Sequence, residues 1–90
     1  MNILGSNLFQ TQLKNILISL SDKNTKTAHD FKIYLDTILF NIPTKAKKYK
    51  KSIYFDDENI KDIQFQDYTI IFLIEDKKDN YVILAIINNS

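Results

Sequence analysis

Two apolar stripes at helical spacing in the first half of the chain, and three apolar runs of strand length in the second, predict an α+β protein. The expected architecture is an N-terminal helix hairpin packed on a small antiparallel sheet of three to four strands. Three observations carry this: the stripes end at Pro43, the pattern turns to β character after Ser52, and a wholly polar segment at 76–80 separates the last two runs.

The first helix is expected over residues 7–20, with Ser6 as its cap and Leu8, Phe9, Leu13, Ile16, Leu17 and Leu20 along one face. A polar break at 21–24 follows, and Thr25 or Thr27 is placed to cap a second helix. Its stripe is Ala28, Phe31, Leu35, Ile38 and Leu39, and Pro43 ends it. So short a break makes the two helices antiparallel neighbours.

Strands are expected at 60–66, 68–75 and 81–87. In the first, Ile60, Asp62, Gln64 and Gln66 alternate with Lys61, Ile63 and Phe65, the pattern of a half-exposed strand. The second is a dense β-branched and aromatic run, as a buried strand requires. Asp76, Lys77, Lys78, Asp79 and Asn80 read as a hairpin loop, so the strands form a meander, and Ile3 and Leu4 supply a short edge strand.

No repeat or linker divides the chain, and residues 1–90 read as a single domain. At this length a chain buries only about 60 to 65% of its unfolded surface, so a binding partner would help it. The hydrophobic fraction of 44%, with 12% aromatic residues, is enough for a packed core. Without cysteine there can be no disulfide, thiolate metal site or thiol nucleophile, and the cytoplasm is the expected compartment. No export signal is visible at the start, and no run reaches the roughly 18 apolar residues of a membrane helix, so no membrane partner is expected.

Motifs for phosphate-cradling loops, zinc helices and nucleophile elbows are missing, and Gly5 is the only glycine, which argues against nucleotide enzymes; no cofactor is expected. His29 is the one histidine. Its neighbour Asp30 would point about 100° away on a helix, poor geometry for an acid–base couple. Asp56, Asp57 and Glu58 lack metal-ligand spacing and read as a solvated turn opposite the lysines; no metal site is expected.

All twelve basic residues are lysine, and five of them, Lys45, Lys47, Lys48, Lys50 and Lys51, crowd into seven positions, although the net charge is only +1. With Tyr49 inside the run and Tyr54 and Phe55 after it, ammonium groups and rings are mixed as nucleic-acid contact requires. The plainer reading is that these lysines complement a helix terminus and keep a connection soluble. Lys47, Lys48, Tyr49, Lys50, Lys51, Tyr54 and Lys61 are the candidate contacts to a target or nucleic acid.

Residues 52–75 resemble the segment of RelE/ParE superfamily toxins that carries a charged I-R-D-L strand followed by a G-Y step into the central strand. The matching residues are Ile60-Lys61-Asp62-Ile63 and Asp67-Tyr68-Thr69. The apolar run at 81–87 is similar to that family's last core strand, and the order helix, helix, strands agrees over nearly the whole chain. The resemblance implies the toxin of a type II toxin–antitoxin module, a cytoplasmic growth inhibitor held inactive by a cognate antitoxin. It implies a homodimer or a hetero-oligomer with that antitoxin.

The family's two common targets are DNA gyrase, in ParE-like members, and mRNA on the ribosome, in RelE-like ribonucleases. The ribonucleases place arginines near the start of the central strand and on the final strand, where this chain has Thr69 and Asn88. They also carry a tyrosine or histidine near the C-terminus, where residues 87–90 offer no acid or base. Losing cations that stabilise phosphate charge removes a contribution of several kcal/mol, so the expectation is a ParE-like inhibitory binding protein. The alternatives are an atypical lysine-based ribonuclease, with Lys50 and Lys51 projecting from one surface beside Tyr54, and a degenerate, non-toxic interaction module.

Overall fold

The sequence folds as a short strand, a helix pair and a three-strand meander; the structure, a computed structural model, describes residues 2–89. The elements are β1 (Asn2–Gly5), α1 (Asn7–Lys23), α2 (Thr25–Phe40), α3 (Ile42–Lys45), β2 (Ile60–Phe65), β3 (Tyr68–Glu75) and β4 (Asn80–Asn88), with single 3-10 turns at Ala46–Lys48 and Asp76–Lys78. No helix among the described residues is long and apolar enough to cross a membrane.

Ser6 caps α1 as expected: its Oγ accepts from the Phe9 N–H at 3.0 Å and donates to the Leu84 carbonyl at 2.8 Å, tying the helix start to β4. The helix runs past Leu20 to Lys23, so the break shrinks to Asn24. That residue serves both helices. Its N–H closes α1 on the Leu20 carbonyl at 2.9 Å, and its side chain accepts from the N–H groups of Lys26 and Thr27 at the start of α2. Asn24, not Thr25 or Thr27, is the cap, because an asparagine one position earlier reaches two orphan donors. Pro43 ends the long helix and sits in the first turn of α3, where its missing N–H costs nothing.

The sheet order is β1-β4-β3-β2. β2–β3 and β3–β4 are antiparallel, but β1 runs parallel to β4, with Ile3 opposite Tyr81 and Leu4 opposite Val82. The sheet is therefore mixed, not wholly antiparallel. A strand's direction is set by the path that brings the chain to the edge, and the apolar pattern of Ile3 and Leu4 holds no record of it. Gly5, at the end of β1, lets the chain pass close to α1: a Cβ there would lie 3.0 Å from the Phe9 ring. The two hairpin turns instead use non-glycine residues at positive φ, Gln66 (54°) and Asp79 (53°), each costing about 1 kcal/mol or more in backbone strain.

All three helices lie on one face of the sheet. Phe72, Leu35, Ile42, Ile70, Ile83 and Ile86 are fully buried there, and each such burial is worth about 1.5–3 kcal/mol. Phe31 brings its ring to 5.2 Å from Phe65 and 5.4 Å from Tyr68. Leu8 departs from the expected stripe and is exposed. On the opposite face Ile60, Ile71 and Ala85 form a smaller buried cluster, with Leu73, Leu84 and Ile87 half-covered around them. The dense run of β3 is thus apolar on both sides, while only one carries helices. A bulge in β4 explains the shift of side: Ile71 pairs with Ala85 and Phe72 with Ile83, leaving Leu84 as the extra residue. Ile83 and Ile86, three apart, thereby both reach the helix face.

Candidate functional site

The lysine run forms a strap across the outer edge of β2. Lys51 bridges Lys61 in antiparallel fashion, with the Ser52 N–H on the Ile60 carbonyl at 2.7 Å and the Asp62 N–H on the Lys50 carbonyl at 3.2 Å. Adjacent extended residues point to opposite faces, so Lys50 lies with Asp62 and Gln64 on the helix-free face while Lys51 lies beside Lys61. Lys50 and Lys51 thus leave the strap in opposite directions, although both line the cleft between strap and β2.

Each candidate contact has a definite place. Lys51 and Lys61 face one another as like charges, an arrangement unfavourable by itself. Asp56 and Glu58 offset it, at 2.9 Å and 3.7 Å from the Lys51 ammonium. The hydrogen bond and charge of Asp56 hold the lysine above its ordinary pKa, and Lys51 in turn holds the Asp56 carboxyl below the usual carboxylate range. The acidic turn does lie opposite the lysines, and it occupies Lys51. Tyr49 is half-buried with its ring edge-on to Phe72 at 5.8 Å, so it anchors the strap in the core and is not offered to a target.

Lys47 and Lys48, in the 3-10 turn, and Lys50 are exposed and have no acidic partner among the described residues. After them come three exposed apolar side chains in succession, Ile53 (84%), Tyr54 (49%) and Phe55 (45%). A turn fixes this tip: the Tyr54 N–H donates to the buried Ser52 hydroxyl at 3.1 Å, and the Ile53 N–H to Asp62 Oδ2 at 3.1 Å. Between strap and β2 lies a cleft of about 340 Å³, walled by Lys48, Lys50 and Ile53 over Asp62 and Gln64. Asp62 Oδ1 is buried and takes no hydrogen bond among the described residues. That is a cost of about 1–3 kcal/mol, which the Lys50 ammonium, opposite it, would relieve by swinging in.

Thr69, where the resemblance would put a catalytic cation, is sealed. Its hydroxyl lies 2.7 Å from Asn89 Oδ1 and 3.2 Å from Gln64 Oε1, and Asn89 Nδ2 donates to the same Gln64 oxygen at 3.1 Å. This uncharged network joins two strand residues to Asn89, just past the end of β4, and the sequence carried no signal for it. Asn88 ends β4 opposite Tyr68, and Ser90 lies outside the described residues. His29 is exposed on α2. No group of His, Asp and Glu among the described residues could hold a metal ion. A second cleft, of about 420 Å³, separates α1 from the end of β4 and is lined by Gln12, Asn15 and Ser19 above Tyr68, Ile86 and Ile87.

No protein-family model matches this sequence, and no curated protein matches it.

Proposed function

We propose that this protein is the toxin component of a type II toxin–antitoxin module, acting as a ParE-like inhibitor that binds a large host target such as DNA gyrase. The observation that carries this reading is the strap itself. Its accessible members are ammonium groups without acidic partners, Lys47, Lys48 and Lys50, and exposed apolar groups, Ile53, Tyr54 and Phe55. Cations beside aromatic and aliphatic anchors grip an acidic macromolecular surface, the ammonium groups steering the encounter and the apolar groups supplying the buried contact. The uncharged Thr69–Gln64–Asn89 network, on the same helix-free face as Lys50, supports binding over chemistry. The helix-free sheet face, with Leu73, Leu84 and Ile87 half-covered, suits the apolar side of a cognate antitoxin.

A second reading draws on the cleft beneath the strap, whose lining includes Lys48, Lys50 and Lys51, the cations an atypical ribonuclease would use to stabilise a phosphate. One experiment separates the readings. Inducible expression of the wild type and of a Lys48→Ala/Lys50→Ala variant is followed by growth, total mRNA integrity and plasmid supercoiling in the same cultures. Growth arrest with altered supercoiling and intact mRNA, relieved in the variant, is expected. Arrest with cleaved mRNA transfers the proposal to the ribonuclease, and unimpaired growth leaves a non-toxic interaction module.

A further inference from the structure

The outer edge of β1 is open, and its chemistry selects an occupant. The Asn2 N–H donates to the Asp79 carbonyl at 3.1 Å and the Ser6 N–H to the Ile83 carbonyl at 2.9 Å. In a parallel ladder the inward-facing residues alternate, so Asn2, Leu4 and Ser6 face β4, while Ile3 and Gly5 turn their main-chain groups outward. The Gln10 side chain covers the Gly5 carbonyl at 2.9 Å. The outward N–H and carbonyl of Ile3 have no partner among the described residues.

Sheet edges are ordinarily blunted by lysine, proline or a covering segment. Here β1 is short, four residues, and Gln10 covers one carbonyl, but neither lysine nor proline guards it and Ile3 is left uncovered. Residues 2–13 carry no charged side chain, in a chain of which 26% is charged, and the segment exposes Ile3 (36%), Leu4 (45%) and Leu8 (57%). An uncharged strand can lie against a copy of itself without setting like charges face to face, as two charged edges would.

We infer that β1 is a self-association edge at which a second copy of this chain pairs antiparallel about a two-fold axis at Ile3, joining two four-stranded sheets into one of eight strands. The two Ile3 residues exchange both hydrogen bonds across the axis, the self-complementary contact that two-fold symmetry demands. So small an interface gives a weak, concentration-dependent dimer.

The chain has no cysteine, which makes the test clean. In a hydrogen-bonded antiparallel pair the facing Cα atoms lie about 5.5 Å apart, within disulfide reach. Mild oxidation of an Ile3→Cys variant is expected to give a covalent dimer about tenfold faster than a Phe40→Cys variant, whose site is also exposed but lies at the end of α2, the factor that two ordinary hydrogen bonds supply. Sedimentation of the wild type from roughly 10 µM to 1 mM, the range of weak interfaces, should show the dimer form. Ile3→Pro removes the outward N–H and leaves the inward ladder intact, so dimerisation should fall about tenfold with thermal unfolding little changed. Leu4→Lys, which brings two like charges near the axis, should do the same if the proline variant fails to fold. A wild type that stays monomeric throughout overturns the proposal and leaves the edge to a different protein. So does dimerisation that survives both variants, or cross-linking no faster at Ile3 than at Phe40.

Discussion

Along β2 the sheet is finished by main chain, and along β1 and the end of β4 by side chains. The strap lays Lys50, Lys51 and Ser52 against residues 60–62 of β2 through a single bridge flanked by two main-chain hydrogen bonds. On the far side the cover is made point by point from α1: Ser6 takes the Leu84 carbonyl, Gln10 the Gly5 carbonyl, and Gln12 accepts from the Ile86 N–H at 2.8 Å. Where the strap runs, beside residues 60–62, its main chain stays in step with β2 because two extended segments repeat at the same interval. A helix does not, so its side chains meet only those edge groups that fall within reach, and Ile3 is passed over. The lysine-rich strap thus lies on the edge that main chain closes at residues 60–62, and the uncharged strand β1 on the edge that side chains cover point by point.

If main-chain pairing closes the β2 edge, Ser52→Pro should be the most damaging change of those compared. It removes the 2.7 Å bond to Ile60 and strands a carbonyl beside a buried residue. A loss of about 2–3 kcal/mol is expected in urea unfolding. A loss below about 0.5 kcal/mol, the level of an ordinary surface change, would show that the strap is merely draped on the sheet.

Gln12→Ala is expected to cost less, about 1–2 kcal/mol, because it leaves the part-buried Ile86 N–H without its acceptor. The local effect is sharper than the global one: amide exchange at Ile86 should accelerate while that of Ile70 and Phe72 is unchanged. Equal acceleration at all three would mean that Gln12 supports the whole sheet and does not serve as an edge guard.

The Lys51–Asp56 pair should contribute least, since both groups are largely in water. Asp56 titrates below the usual carboxylate range in the folded state, so its contribution is present above the unfolded carboxylate value and is lost as pH falls through that lowered folded value. Lys51 titrates above its ordinary value, so its share is lost only as pH rises past the raised one. An NMR titration of Asp56 should show its midpoint move up in Lys51→Met. A fixed midpoint would remove the ion pair from any account of the strap.

Much of the fold was legible because short-range rules produced it. The spacing of Phe9, Leu13, Ile16, Leu17 and Leu20 made one helix face, Ser6 supplied its cap, and the polar segment before Tyr81 closed a hairpin. The candidate site was legible only in part. Lys47, Lys48, Lys50 and Tyr54 are exposed, but Tyr49 turned inward to Phe72, and Lys51 was claimed by acids five and seven positions on. The bulge at Leu84 and the Thr69–Gln64–Asn89 network had no sequence signature, since each depends on which residues of different strands come opposite one another.

By itself the sequence determined the order and type of the long elements, the two-sided apolar character of β3, and a cysteine-free chain with its lysines massed before the sheet. Those properties follow from side-chain chemistry and from periods of 3.6 and 2 along one chain. Only the tertiary structure decided that β1 runs parallel to β4, that all three helices share one face, and that the lysine run becomes a strap with Lys50 and Lys51 on opposite sides. Direction, facing and register are relations between segments far apart in the chain, set by packing and by which backbone donors find acceptors, and a local pattern holds no record of them.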